Sequence, residues 1–191
     1  VIADRVAAVR ERIARAAARA GRRAEEVTVV AVTKTHPPAT VNEAFAAGLR
    51  DFGENKVQEA EAKIEQLSDL RARGARWHLV GHLQTNKARR AAELFDSIHS
   101  LDSDRLGMRL GRAAEEIRKE LPVLVQVELA GESGKSGLDE VQLFPTLERL
   151  RAYKALRVVG LMTLPPQEQD PERVRPWFHR LRQLRDEAMR R

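Results

Sequence analysis

Val27-Thr28-Val29-Val30-Ala31-Val32-Thr33 is an apolar, β-branched run that closes on Lys34 and breaks at Thr35-His36-Pro37-Pro38. A short run of this kind bounded by a proline pair reads as a buried strand. A lysine held at the mouth of such a strand can lose its proton and attack an aldehyde. Spacing alone favours this reading no more than a surface lysine that happens to close a strand. Composition adds to it, because only seven of the 34 basic residues are lysines and the rest are arginine, which forms no Schiff base. Lys34, Lys56 and Lys135 each follow a predicted strand, and Lys87 lies in the turn after another.

The elements alternate along the chain. A helix over 1–20 precedes the strand 27–33, and a helix from Ala39 to Ala47, closed by Gly48, precedes Asp51-Phe52-Gly53-Glu54. A long amphipathic helix from Lys56 to Arg73 ends at Gly74 and leads into the strand Trp77-His78-Leu79-Val80-Gly81-His82. Thr85 is placed to cap a helix to Leu94, and Asp96 to Leu101 is a fourth strand. Asp102 or Ser103 caps a helix to Glu120, and Val123 to Leu129 is the most apolar strand. Leu138 to Arg151 is helical with Pro145 as a kink, Val158 to Thr163 is the sixth strand, and Pro171 to Arg191 is a last helix.

Six strands each followed by a helix point to a parallel α/β architecture. A doubly wound sheet would carry a glycine-rich first turn at a nucleotide site, and Thr33 to Pro38 has no glycine. A (β/α)₈ barrel needs eight units, so either the sheet is open or the last two strands lie outside this chain. Lys34, Asn55, His82, Ser100, Lys135 and Thr163 all fall after or near strand ends, where barrel enzymes assemble their sites, and this favours the barrel.

With 191 residues, 42% hydrophobic content and no long apolar run, one domain over 1–191 is expected, without a membrane span. No export signal is visible in Val1 to Ala20, and the absence of cysteine fits a reducing compartment, so the cytoplasm is expected. The net charge of +6 raises the question of nucleic acid, yet aromatics make up 4% and the arginines alternate with glutamates, the pattern of an ion-paired surface. Gly131-Glu132-Ser133-Gly134-Lys135-Ser136 imitates the end of a phosphate-binding loop, but Leu129 stands where that loop needs its first glycine. Lys135 there is either a second amine or a solvated side chain. His36, His78, His82, His99 and His179 make no convincing metal site.

Ala31-Val32-Thr33-Lys34, Phe52-Gly53-Glu54-Asn55-Lys56, Trp77 to Lys87, Ile98-His99-Ser100-Leu101-Asp102 and Gly160-Leu161-Met162-Thr163 together resemble the pyridoxal phosphate homeostasis proteins, relatives of the alanine racemase N-terminal barrel. The resemblance covers nearly the whole chain, in order. It implies a (β/α)₈ TIM-type barrel of the alanine racemase N-terminal kind, here without its last two strands. It also implies pyridoxal 5′-phosphate held as a Schiff base on Lys34, with Asn55, His82, Ser100, Met162 and Thr163 about the cofactor. On this resemblance the protein is a monomeric carrier without turnover that passes the cofactor to dependent apo-enzymes. The alternative is a racemase-like enzyme, which would need an acid/base partner such as a tyrosine, and the single tyrosine, Tyr153, is expected on an outer helix. Two departures stand out: the family's serine- and arginine-bearing phosphate strands are missing, and Glu128 replaces a common asparagine.

Overall fold

The strand that opens the fold is shorter than its apolar run. In the computed structural model, which describes residues 1–131 and 136–191, β1 is Val30–Val32 and pairs in parallel with β2, Asp51–Glu54. The register sets Val30 opposite Asp51 and Val32 opposite Gly53, so the residues before Val30 have no strand beside them. A 3₁₀ turn at Ala24–Glu26 occupies the approach instead.

The chain forms two units, Val1–His78 and Leu79–Arg191. In the first, α1 is Ile2–Arg19 and α2 is Pro38–Ala46, with Pro38 in its first turn. Gly48 follows α2 at φ +89°, a backbone state that a side chain resists. The helix expected over 56–73 is broken into α3, Val57–Gln66, and α4, Ser68–Ala72. Ile64, Leu67 and Leu70 are all buried at a spacing of three, which falls short of a 3.6-residue turn, and the break at Leu67 restores the match. β3 is Arg76–Leu79, so Val80, Gly81 and His82 lie beyond the strand rather than in it. Phe52 and Trp77 are fully buried with ring centroids 5.4 Å apart, each contributing on the order of 2–3 kcal/mol by burial.

In the second unit a 3₁₀ turn at Thr85–Lys87 leads into α5, Ala88–Leu94, so Thr85 lies inside the turn and caps nothing. β4 is Ser97–Leu101. Ser103 rather than Asp102 caps α6, Asp104–Glu116, accepting from the Leu106 N–H at 3.2 Å. This helix closes four residues early through Arg118 at φ +53°. There Lys119 turns back to donate to the carbonyls of Ala92 and Phe95 at the end of α5.

β5 is Leu121–Gln126, and beyond it Val127 makes an isolated bridge to Leu138. Asp139 caps α7, Glu140–Leu150, which carries Pro145 inside it. β6 is Leu156–Met162, and α8 is Pro171–Arg190 with Asp170 as its cap. β4 pairs in parallel with β5, and β5 with β6. Ile98, Leu101, Leu106, Leu110, Leu121, Val123, Val125 and Leu143 form this unit's fully buried core. Gly111 is a close approach, since a Cβ there would stand 2.6 Å from Tyr153. Tyr153 thus lies in the connection before β6, past the end of α7.

Candidate functional site

In the first unit the ends of β1 and β2 are joined by side chains. Thr33 extends the ladder, donating its N–H to the Gly53 carbonyl at 2.8 Å, and its own carbonyl accepts from His36 at 3.1 Å. These bonds close a turn with Lys34 and Thr35 at its centre. Thr35 has φ +64°, in the left-handed region that glycine or asparagine ordinarily fills at this place in a turn. Lys34 is exposed, not sequestered at an apolar mouth as its position after the strand suggested.

Thr33 itself is buried and donates its hydroxyl to Glu54 Oε1 at 2.6 Å. Lys63, reaching from α3, donates to the Thr33 carbonyl at 2.6 Å and to the same Glu54 oxygen at 2.7 Å. The Glu54 and Lys63 side chains are 1% and 10% exposed, and Glu54 Oε2 has no hydrogen-bond partner among the described residues. Asn55 follows directly, half-buried in the bend before α3. Sequence reasoning missed Lys63. The signal was its place three residues after Ala60 and four before Leu67, on the flank of a buried stripe where a solvated lysine does not belong.

The second unit carries four of the named residues in or just past the C-terminal ends of its strands. His82 Nδ1 lies 3.0 Å from Asp102 Oδ2 and 3.1 Å from Ser136 Oγ, and the imidazole is more than half exposed. Both contacts fall on one nitrogen, so the trio is no hydrolytic relay, which needs a base on one ring nitrogen and an acid on the other. Ser100 is buried and donates to the Gly81 carbonyl at 2.6 Å. Thr163 donates to the Val127 carbonyl at 2.9 Å, and the half-buried Met162 accepts from the Val127 N–H at 2.8 Å. Gln126 holds the Ser136 carbonyl at 2.9 Å. Glu128 turns to its own loop, accepting from Ala130. Residues 132–135, with Lys135 and most of the phosphate-loop imitation, lie outside the described residues.

At the opposite end of β2, Asp51 takes a bidentate contact from Arg76 (2.7 and 2.8 Å) and a third from His78 Nε2 at 2.8 Å. Burial pushes this carboxyl up, but the hydrogen bonds from Arg76 and His78 outweigh it and hold the group below the usual aspartate range. A cleft of about 650 Å³ opens at this end, lined by Arg10, Arg50, Asp51 and Arg76 among others. None of the six residues named from sequence lines it.

Parallel β/α units with a lysine in the turn after the first strand suit a protein of the alanine racemase N-terminal kind. The model of that family, described as alanine racemase, N-terminal domain, matches residues 5–191, and the chain belongs to it. Within it, the chain is one of the pyridoxal phosphate homeostasis proteins. It is 38% identical over 187 residues to the protein of that name from Aquifex aeolicus, covering 98% of this chain and 81% of that one. Against the Escherichia coli K12 protein of the same name the identity is 40% over 169 residues, covering 88% and 72%. Among solved structures it is similar to PipY of Synechococcus elongatus PCC7942 with PLP bound. That likeness has a TM-score of 0.87 and 37% identity, and covers 100% of this chain and 82% of PipY. The fold expected from the sequence motifs is therefore the fold found.

Proposed function

We propose that this chain binds pyridoxal 5′-phosphate through Lys34 and serves to hold and release it. The observation that carries this reading is the place of Lys34: an exposed primary amine in a turn directly after β1, with the neighbouring Thr33 bonded through its amide, carbonyl and hydroxyl. The donor set fits the cofactor, which when bound supplies an electrophilic aldehyde carbon. The part of Lys34 is to give up the proton on Nζ and set its lone pair against that carbon. The bond that Lys34 would make in holding the group is a reversible one, open to exchange with water or another amine. Reversibility of that bond is what suits a carrier. In the second unit, His82, Ser100, Met162 and Thr163 belong to the binding surface on this reading, and Asn55 does so in the first. Membership beside proteins named for pyridoxal phosphate homeostasis supports the same conclusion.

The reading takes residues 1–191 as one cofactor-binding domain, monomeric, acting in the cytoplasm and passing its cargo to dependent apo-enzymes. It assigns no turnover. Racemisation would need a second proton-transferring group on the far face of the cofactor, and Tyr153 packs against Gly111 ahead of β6, at the end of the strand away from Thr163.

The test is to load the chain with pyridoxal 5′-phosphate, reduce with borohydride and map the modified peptide. A stable adduct on Lys34, and loss of the visible absorbance band in a folded Lys34→Ala chain, are expected. An unmodified Lys34, or a band that survives its removal, overturns the assignment. Interconversion of D- and L-amino acids by the loaded protein would replace the carrier with a racemase.

A further inference from the structure

Behind the proposed reactive turn stands a polar cluster that burial makes expensive. Glu54 is almost wholly buried, its Oε1 takes two short hydrogen bonds, and its Oε2 takes none among the described residues. A buried ion pair with one oxygen unsatisfied stabilises a fold poorly compared with apolar side chains of the same volume. Its geometry serves a different end. Lys63 and Glu54 do not hold each other alone; both also hold Thr33, Lys63 by the carbonyl and Glu54 by the hydroxyl.

That carbonyl is the one that closes the turn with the His36 N–H, and Thr35 in the same turn carries a β-branched side chain at φ +64°. Such a conformation costs on the order of 1–3 kcal/mol and persists only where the surroundings over-determine it. Here three bonds fix the residue before the lysine: Thr33 N–H to Gly53, Thr33 hydroxyl to Glu54, and Lys63 to the Thr33 carbonyl.

We propose that Thr33, Glu54 and Lys63 form a buried clamp that holds the turn bearing Lys34 in its strained conformation, and that Glu54 and Lys63 are positioning residues for the amine. The proposal rests on Lys34 as the group that bonds the cofactor aldehyde. Neither clamp residue touches that carbon. Their effect is to fix where the backbone of residue 34 leaves the strand, and thus the small set of positions open to Nζ. A preorganised amine binds more tightly because less freedom is lost when the bond forms.

The experiment titrates the parent chain, Thr33→Val, Thr33→Ser and Lys63→Met with pyridoxal 5′-phosphate, with borohydride trapping at Lys34 read by mass spectrometry. The melting temperature of each unloaded chain is measured so that every titration is run well below it. Thr33→Val is nearly isosteric and lacks the hydroxyl, and should weaken adduct formation about tenfold, the scale of one hydrogen bond to a charged group. Thr33→Ser restores the hydroxyl and should return to within about twofold of the parent. Lys63→Met should fall at least as far as Thr33→Val.

A clamp that only stabilised the fold would lower melting temperatures and leave the affinity of the folded chains unchanged, and that result overturns the proposal. If Lys63→Met does not fold, the valine and serine pair decides alone. Absence of any Lys34 adduct in the parent chain removes the underlying reading and the clamp with it. An adduct in the parent that is equal in folded Thr33→Val removes the clamp only.

Discussion

β2 is four residues long and has a buried carboxylate at each end, Asp51 at its start and Glu54 at its finish. Asp51 uses both oxygens, on Arg76 and His78, and the Arg76 side chain remains 59% exposed, so water shares in solvating that pair. Glu54 uses one oxygen among the described residues, and both of its partners are shielded from water. The first arrangement satisfies its charge and joins two neighbouring strands. The second leaves part of its charge unsatisfied and holds the turn that presents Lys34. In β/α barrels the starts of the strands hold the structure together and their C-terminal ends carry the site, and on the function proposed above these two acids divide along that line.

Glu54→Ala should break the comparison most severely. It leaves Lys63 buried beside the Thr33 carbonyl with no counter-charge, and a loss of about 3–5 kcal/mol is expected in urea unfolding. Asp51→Asn should cost less, about 1.5–3 kcal/mol, because Arg76 can turn to solvent. A loss at Asp51 larger than at Glu54 would invert the assignment of the two ends.

Acid sharpens the contrast. The folded-state pKa of Asp51 is depressed, so its stabilisation is fully present above the unfolded aspartate value near ~3.9 and is lost as pH falls through the lower folded value. The stability gap between the parent and Asp51→Asn should therefore close below about pH 4, as read by melting temperature across the acid range. A gap that persists at the lowest pH would mean that shape, not charge, is what asparagine disturbs. Thr33→Val should cost about 1 kcal/mol, one hydrogen bond within a cluster that otherwise remains. Smallest of all, Lys34→Ala should stay within about 0.5 kcal/mol of the parent in urea, because the side chain is exposed, while abolishing the covalent adduct.

Much of this was legible in the sequence, and the reasons are local. Gly48 and Gly74 mark the ends of helical segments because each carries a positive φ, and Pro38 and Pro171 sit in first turns where a missing N–H costs nothing. The position of Lys34 after the first strand was equally plain. Strand length was not, because β1 begins only where its pairing with Asp51 of β2 begins, a property of another part of the chain. The break at Leu67 could have been read from the spacing of Ile64, Leu67 and Leu70, but the overall amphipathic pattern hides it. The contacts of Lys63 could not be read at all: it meets Thr33 across 30 residues and Glu54 across nine. Ser136 meets His82 across 54.

The reach of Lys63 from α3 to the Thr33 carbonyl also governs how the turn breathes. A loop of this size at a strand end would ordinarily fray on its own, exchanging its amides with water while the neighbouring helix stays shut. Tied to α3 by an ammonium group, it can open only by stretching a charge-assisted bond inside a dry layer. Lys34 thus sits on a segment tied to a helix yet exposed as a loop is.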